Sequence, residues 1–189
     1  MNTPAHLLLG AAAFGRIRGR SVAGAALLGA FAPDASLYLM AGVSLFLLRV
    51  PPEVVFNELY FSPAWQTVFA IDNSLFVWAA FLAIVVWFRS IPGMAFACSG
   101  LLHIALDFPL HAGDGRPHFW PVSRWVFDSP ISYWDSTHYA AFVAPVSVLL
   151  CLLAFVTLWR RGSGWAMRLG YSALMLAELW VLRQWLLFF

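Results

Sequence analysis

Residues 101–120 read Leu-Leu-His-Ile-Ala-Leu-Asp-Phe-Pro-Leu-His-Ala-Gly-Asp-Gly-Arg-Pro-His-Phe-Trp. The stretch starts as the end of an apolar helix. His103 and Asp107 are four residues apart, so on a helix they lie one above the other on a single face. At that spacing both can reach one metal ion, as the two histidines of an H-E-x-x-H helix do. Pro109 then stops the helix, because it has no N–H to donate and constrains Phe108. The residues beyond it are dense in His, Asp and Gly for so apolar a chain: His111, Gly113, Asp114, Gly115 and His118. Gly113-Asp114-Gly115 predicts a turn, which places His111 and His118 on a rim.

The surroundings explain why that density matters. The chain has 189 residues, 62% hydrophobic and only 11% charged, and its mean hydropathy is +0.78. A soluble domain would carry roughly a quarter charged residues. The composition predicts one integral membrane domain over residues 1–189, all-α, built as a polytopic transmembrane helical bundle. All eleven basic residues are arginine, and the net charge of +2 is too small to argue for nucleic acid. Cys98 and Cys151 fall inside apolar runs and read as small buried hydrophobes. The run Leu7–Phe14 has its cations after it, at Arg16, Arg18 and Arg20, the wrong order for a cleavable signal peptide.

Outward from the opening stretch, residues 4–15 and 21–32 are each too short to span a bilayer, which takes about twenty residues. Joined by the basic turn at 16–20, they predict a short re-entrant helix pair rich in Gly and Ala. Pro33-Asp34 predicts a break in the run that continues to residue 50. Asp34 is costly in lipid there and is expected to face protein, water or an ion. Residues 51–65 form an interfacial connection. Spans are expected at 66–89, 91–108, 137–159 and 165–188, with an aromatic-rich connection over 109–136. Glu178, near the centre of the last span, is expected to be structural.

Arginine bias sets the orientation. Arg16, Arg18, Arg20, Arg89, Arg160, Arg161 and Arg168 fall on one side, and Arg49, Arg116, Arg124 and Arg183 on the other. The richer side is expected to be cytoplasmic, which puts the opening stretch on the periplasmic side of a bacterial inner membrane. His6, Asp34, Asp72, Asn73, His103, Asp107 and His138 then converge toward one end. Neutral His and ionised Asp are ligands for Zn, Mn or Fe. Asp135 and Ser136 could equally cap the span that His138 opens.

Several motifs carry a family resemblance: N-T-P-A-H at 2–6, A-P-D-A-S at 32–36, H-I-A-L-D at 103–107 and Trp120-Pro121. In this order they resemble the family described as membrane-bound, metal-dependent hydrolases under LexA control. The family's H-R-G-x-T-H-S stretch has no counterpart; F-A-I-D-N-S-L at 69–75 stands in its place. The resemblance implies a single divalent metal held by His6, Asp34, His103 and Asp107 near the outer membrane face. Asp72 or His138 would act as general base, and the substrate would be a lipidic or membrane-proximal (phospho)ester. The missing histidines motivate a rival expectation: a non-enzymatic scaffold or assembly subunit with a degenerate metal site, in contact with lipid and with a membrane-protein partner. A small transporter is a third expectation, but the polar residues crowd one end.

Overall fold

The computed structural model describes residues 1–15, 20–162 and 164–188. Residues 16–19 of the expected basic turn, together with Ser163 and Phe189, lie outside the described residues. Among the described residues every regular element is helical. The order is α1 (Thr3–Phe14), α2 (Arg20–Gly42, extended by a π-helical turn Val43–Leu47), and the single turn α3 (Pro52–Val54) with a second π turn Val55–Leu59. Then come α4 (Pro63–Asp72), α5 (Leu75–Trp87), α6 (Ile91–Asp107), a 3-10 turn at Ser136–His138, α7 (Ala140–Arg160) and α8 (Trp165–Phe188). Pro4, Pro63 and Pro92 sit in the first turns of their helices, where a missing N–H costs nothing.

Among the described residues, three stretches are long and apolar enough to cross a membrane: Ser21–Leu47, Pro63–Trp87 and Ala140–Arg160. Thr3–Phe14 and Ile91–Asp107 are apolar but shorter. α8 has 24 residues, with Arg168, Glu178 and Arg183 diluting its apolar character.

The expected break at Pro33-Asp34 does not occur. α2 runs through Pro33 without interruption, so residues 21–32 are the first half of a long helix and not one limb of a re-entrant pair. The proline forfeits one hydrogen bond, to the carbonyl of Gly29. Tertiary packing outweighs that loss. At Gly29 the α6 backbone comes so close that a Cβ would lie 2.0 Å from the Phe96 carbonyl oxygen, and Asn73 Nδ2 donates to the Pro33 carbonyl at 3.3 Å. Clamped from both sides, α2 stays helical, because packing supplies most helical stability in a folded chain. α1 runs antiparallel to α2, with Thr3 beside Asp34, Gly10 beside Ala30 and Phe14 against Val22 and Ala26.

The interruption lies instead at Asn73-Ser74, between α4 and α5. Ser74 Oγ caps α5 by accepting from Val77 N at 3.2 Å. Trp78 Nε1 donates to the Asp72 carbonyl at 2.6 Å. Leu75 N donates to the His118 carbonyl at 2.9 Å, and His118 Nδ1 donates to the Asn73 carbonyl at 3.0 Å. The connection after α6 therefore satisfies the backbone groups that the break frees, as irregular backbone at membrane depth requires.

Small residues let α1, α2, α5 and α6 approach. A Cβ on Gly10 would lie 2.7 Å from Ala30 Cβ, and one on Gly100 only 2.1 Å from the Trp78 ring. Gly29→Ala should accordingly destabilise the chain by about 1–3 kcal/mol through overpacking, read as a lower midpoint of thermal unfolding in detergent micelles. Gly42→Ala, where an added Cβ meets nothing within 4 Å, should leave the midpoint unchanged. Equal stability of both variants would contradict the close approach of α2 and α6.

Candidate metal centre

Asp107 ends α6, and its buried carboxylate is the hub of the site. Oδ1 lies 2.9 Å from His6 Nε2 and meets the α-amino group of Met1. Oδ2 faces His103 Nε2 at 3.2 Å and His111 Nε2 at 3.4 Å. His103 comes from one helical turn earlier. His6 is on α1, which brings it in from the far end of the sequence. His111 lies beyond Pro109, where Leu110 N donates to the Asp107 carbonyl at 2.8 Å and keeps the chain winding. The His6 and His103 rings stack with centroids 3.6 Å apart and planes 11° from parallel.

His103 carries the most telling geometry. Its Nδ1 donates to the Ala30 carbonyl of α2 at 2.7 Å, so Nδ1 carries a proton and Nε2 is turned inward. Nε2 is buried and has no hydrogen bond, although it stands 3.2 Å from Asp107 Oδ2 and 3.6 Å from Asp34 Oδ1. A lone pair facing two carboxylates is repulsive unless the ring gains a proton or a cation lies between them. A backbone carbonyl fixing the far nitrogen is the usual support of a metal-binding histidine.

His6, His103 and Asp107 bring their donor atoms within 4.8 Å of one another, a group that could hold a metal ion. Donors around a tetrahedral zinc stand roughly 3.3 Å apart, given bonds of about 2.0–2.1 Å. His6 Nε2 stands 2.9 Å from Asp107 Oδ1 and His103 Nε2 3.2 Å from Asp107 Oδ2, near that value, and two imidazoles with a carboxylate are a donor set that zinc takes.

Asp34 stands at the edge of this set. Its Oδ2 accepts from Thr3 Oγ1 at 2.5 Å, leaving Oδ1 toward His103. Asp34 is the midpoint of the apolar stretch Ser21–Leu47.

The two residues expected as general bases are placed differently. Asp72 binds Ser36 and the Asn73 amide, the latter at 2.8 Å; none of its hydrogen bonds reaches the histidines. His138 is not brought to the cluster. Its Nδ1 lies 2.7 Å from Asp135 Oδ2, and its side chain is 44% exposed. Asp135 accepts from Thr137 N and Oγ1 as well, which holds its carboxyl below the usual range. Asp135 therefore caps the 3-10 turn Ser136–His138 that precedes α7.

His111 and Asp114, expected on a rim and in a turn, join the site instead. His111 Nδ1 lies 3.0 Å from Asp114 Oδ1. Burial opposes a charge on His111, but the carboxylates of Asp107 and Asp114 beside it outweigh that and raise its pKa. The signal for it is the pattern H-x-x-x-D-x-x-x-H over 103–111, which outlasts Pro109. Tyr133 packs edge-on against His111 with centroids 5.2 Å apart. Burial, then Asp107, Asp34 and Asp114, push its hydroxyl well above the ordinary tyrosine value, so it stays neutral. Glu178 accepts from Asn2 Nδ2 at 3.5 Å and ties α8 to the start of α1.

Comparison with family models, curated proteins and solved structures returns no match.

Burial pushes the pKa of His118 down, against the pull of its bond to Asn73. Its stabilising contribution is therefore fully present above the ordinary histidine value of 6.5 and is lost as the pH falls from there toward the depressed value. Thermal unfolding of the wild type from about pH 7.5 to about pH 5 should show that loss. His118→Asn should show a shallower acid loss; superimposable profiles would contradict the assignment.

Proposed function

We propose that this chain is a membrane-embedded, metal-dependent hydrolase whose reaction centre is one divalent ion, Zn, Mn or Fe, held by His6, His103 and Asp107 with Asp34 at the edge. The observation that carries this reading is His103, fixed by the Ala30 carbonyl at 2.7 Å while its unbonded Nε2 points at two carboxylates. The motif resemblance in residues 2–121 supports it. A divalent ion here would supply Lewis acidity at an acyl or phosphoryl oxygen.

The chain's own residues then divide the remaining work. Ala30 holds the His103 tautomer. Asp107 collects the imidazoles, and Thr3 orients Asp34. His111, with its raised pKa and its place between Asp107 and Asp114, takes the acid–base role in place of His138. Tyr133 covers its ring. The substrate is a lipidic or membrane-proximal ester, in keeping with the extensive exposed apolar surface, Phe46, Trp87 and Phe142 included. Arg89 follows α5, and Arg160 ends α7, at the helix ends remote from Asp107. By arginine bias this turns the site toward the periplasm of a bacterial inner membrane.

One observation favours a second reading, a scaffold subunit bound to another membrane protein. His6 Nε2 already lies within hydrogen-bond distance of Asp107 at 2.9 Å, so the cluster can join α1 to α6 as polar glue. Elemental analysis of detergent-purified protein separates the two. The hydrolase predicts one divalent ion per chain, weakened at least about tenfold by His103→Ala and retained by His138→Ala. Wild-type protein without stoichiometric metal, even after reconstitution with zinc, manganese or iron, would overturn the hydrolase.

A further inference from the structure

Arg116 lies in the connection that follows α6 and is only 8% exposed. A guanidinium is always charged, and a buried charge calls for a counter-charge. Among the described residues no carboxylate forms an ion pair with it. It is held instead by aromatic rings: its Cζ lies 4.0 Å from the centroid of Phe69 and 4.8 Å from that of Tyr60. Rings take the faces of the guanidinium plane and leave its in-plane N–H groups to find partners. Nη1 is buried and has none. Aromatic contact relieves part of the cost of the charge and does nothing for the unmatched donor.

The segment carrying Arg116 is a built one. A Cβ on Gly115 would come within 2.7 Å of Val126 and 2.9 Å of the Phe127 carbonyl, so this turn packs too tightly for any side chain. His118 N donates to the Arg116 carbonyl at 2.9 Å. Two residues earlier, Asp114 binds His111, which faces Asp107. Phe69 is on α4, one turn before Asp72. Arg116 thus lies in the connection that carries His111 and Asp114, with its Nη1 unmatched.

We infer that Arg116 anchors a phosphoryl oxyanion, so that the ester is a phosphoester. This rests on the metal-centre reading. A planar fork of N–H donors matches two oxygens of a phosphoryl group. A carboxylic ester is uncharged at the bond to be broken and would leave the guanidinium unpaired.

The test uses full-length protein in dodecyl maltoside micelles, loaded with zinc, and two probes. One is radiolabelled inorganic phosphate; the other is phosphatidic acid doped into the micelles, with phosphatidylcholine as background. Wild-type protein should bind at least one probe: phosphate for a soluble source, phosphatidic acid alone for a lipid headgroup. Arg116→Gln should weaken binding at least about tenfold while zinc stoichiometry is unchanged. Arg116→Lys keeps the charge but loses the fork and the stacking, and it should also bind more weakly; it decides the matter if the Gln variant does not fold. Binding of neither probe by zinc-loaded protein, or equal binding by wild type and both variants, would overturn the phosphoryl anchor and leave the metal centre standing. Failure to hold zinc would instead strike the metal reading, and it would show separately in the zinc measurement.

Discussion

A carboxylate buried among apolar helices costs several kcal/mol unless its oxygens are matched, and Asp107 is such a group. Its partners come from three segments, of which only the start of α1 is distant in the chain. The start of α1 supplies His6 and the Met1 amine, α6 supplies His103, and the following connection supplies His111. Much of the architecture is a consequence of bringing them to one point. α1 and α6, which carry His6, His103 and Asp107, are both shorter than the stretches that can cross a membrane. The chain beyond Pro109 must fold back over the helix ends rather than leave them.

α2 gives that point its chemical direction. Gly29 allows the α6 backbone to come within contact of α2, and the next residue, Ala30, offers its carbonyl to His103. The tautomer of the histidine is therefore a consequence of backbone approach between two helices. One turn further along α2, Asp34 completes the polar edge. A helix broken at Pro33 would not hold Ala30 and Asp34 at a fixed distance from each other, whereas the continuous one does.

The connection between α6 and α7 divides into two tasks. His118 and Trp120 lock the break at Asn73-Ser74 through backbone and ring hydrogen bonds. His111 and Asp114 face the carboxylate cluster, and Arg116 follows in the same connection. Packing at Gly115 holds the two groups in register. His138, at the far end of the same connection, pairs with Asp135 in the turn before α7.

The amino-acid sequence by itself determined the helical class, three of the apolar spans and the pairing of His103 with Asp107, because hydropathy and the four-residue period are properties of neighbouring residues; Ile91–Asp107 is shorter than the span expected there, and Trp165–Phe188 is less apolar than a span requires. It also marked His6 and Asp34 as polar groups needing company. Pro33 misled, since a proline's local cost is visible in the chain while the helix–helix contact that offsets it is not. The break at Asn73-Ser74 depends on acceptors and donors some forty residues away, at His118 and Trp120. His111 was obscured by Pro109, which ends helical hydrogen bonding without ending the four-residue alignment. Which polar group meets which was decided only by the tertiary structure, because a buried charge or lone pair is matched by whatever close packing brings to it, regardless of separation along the chain.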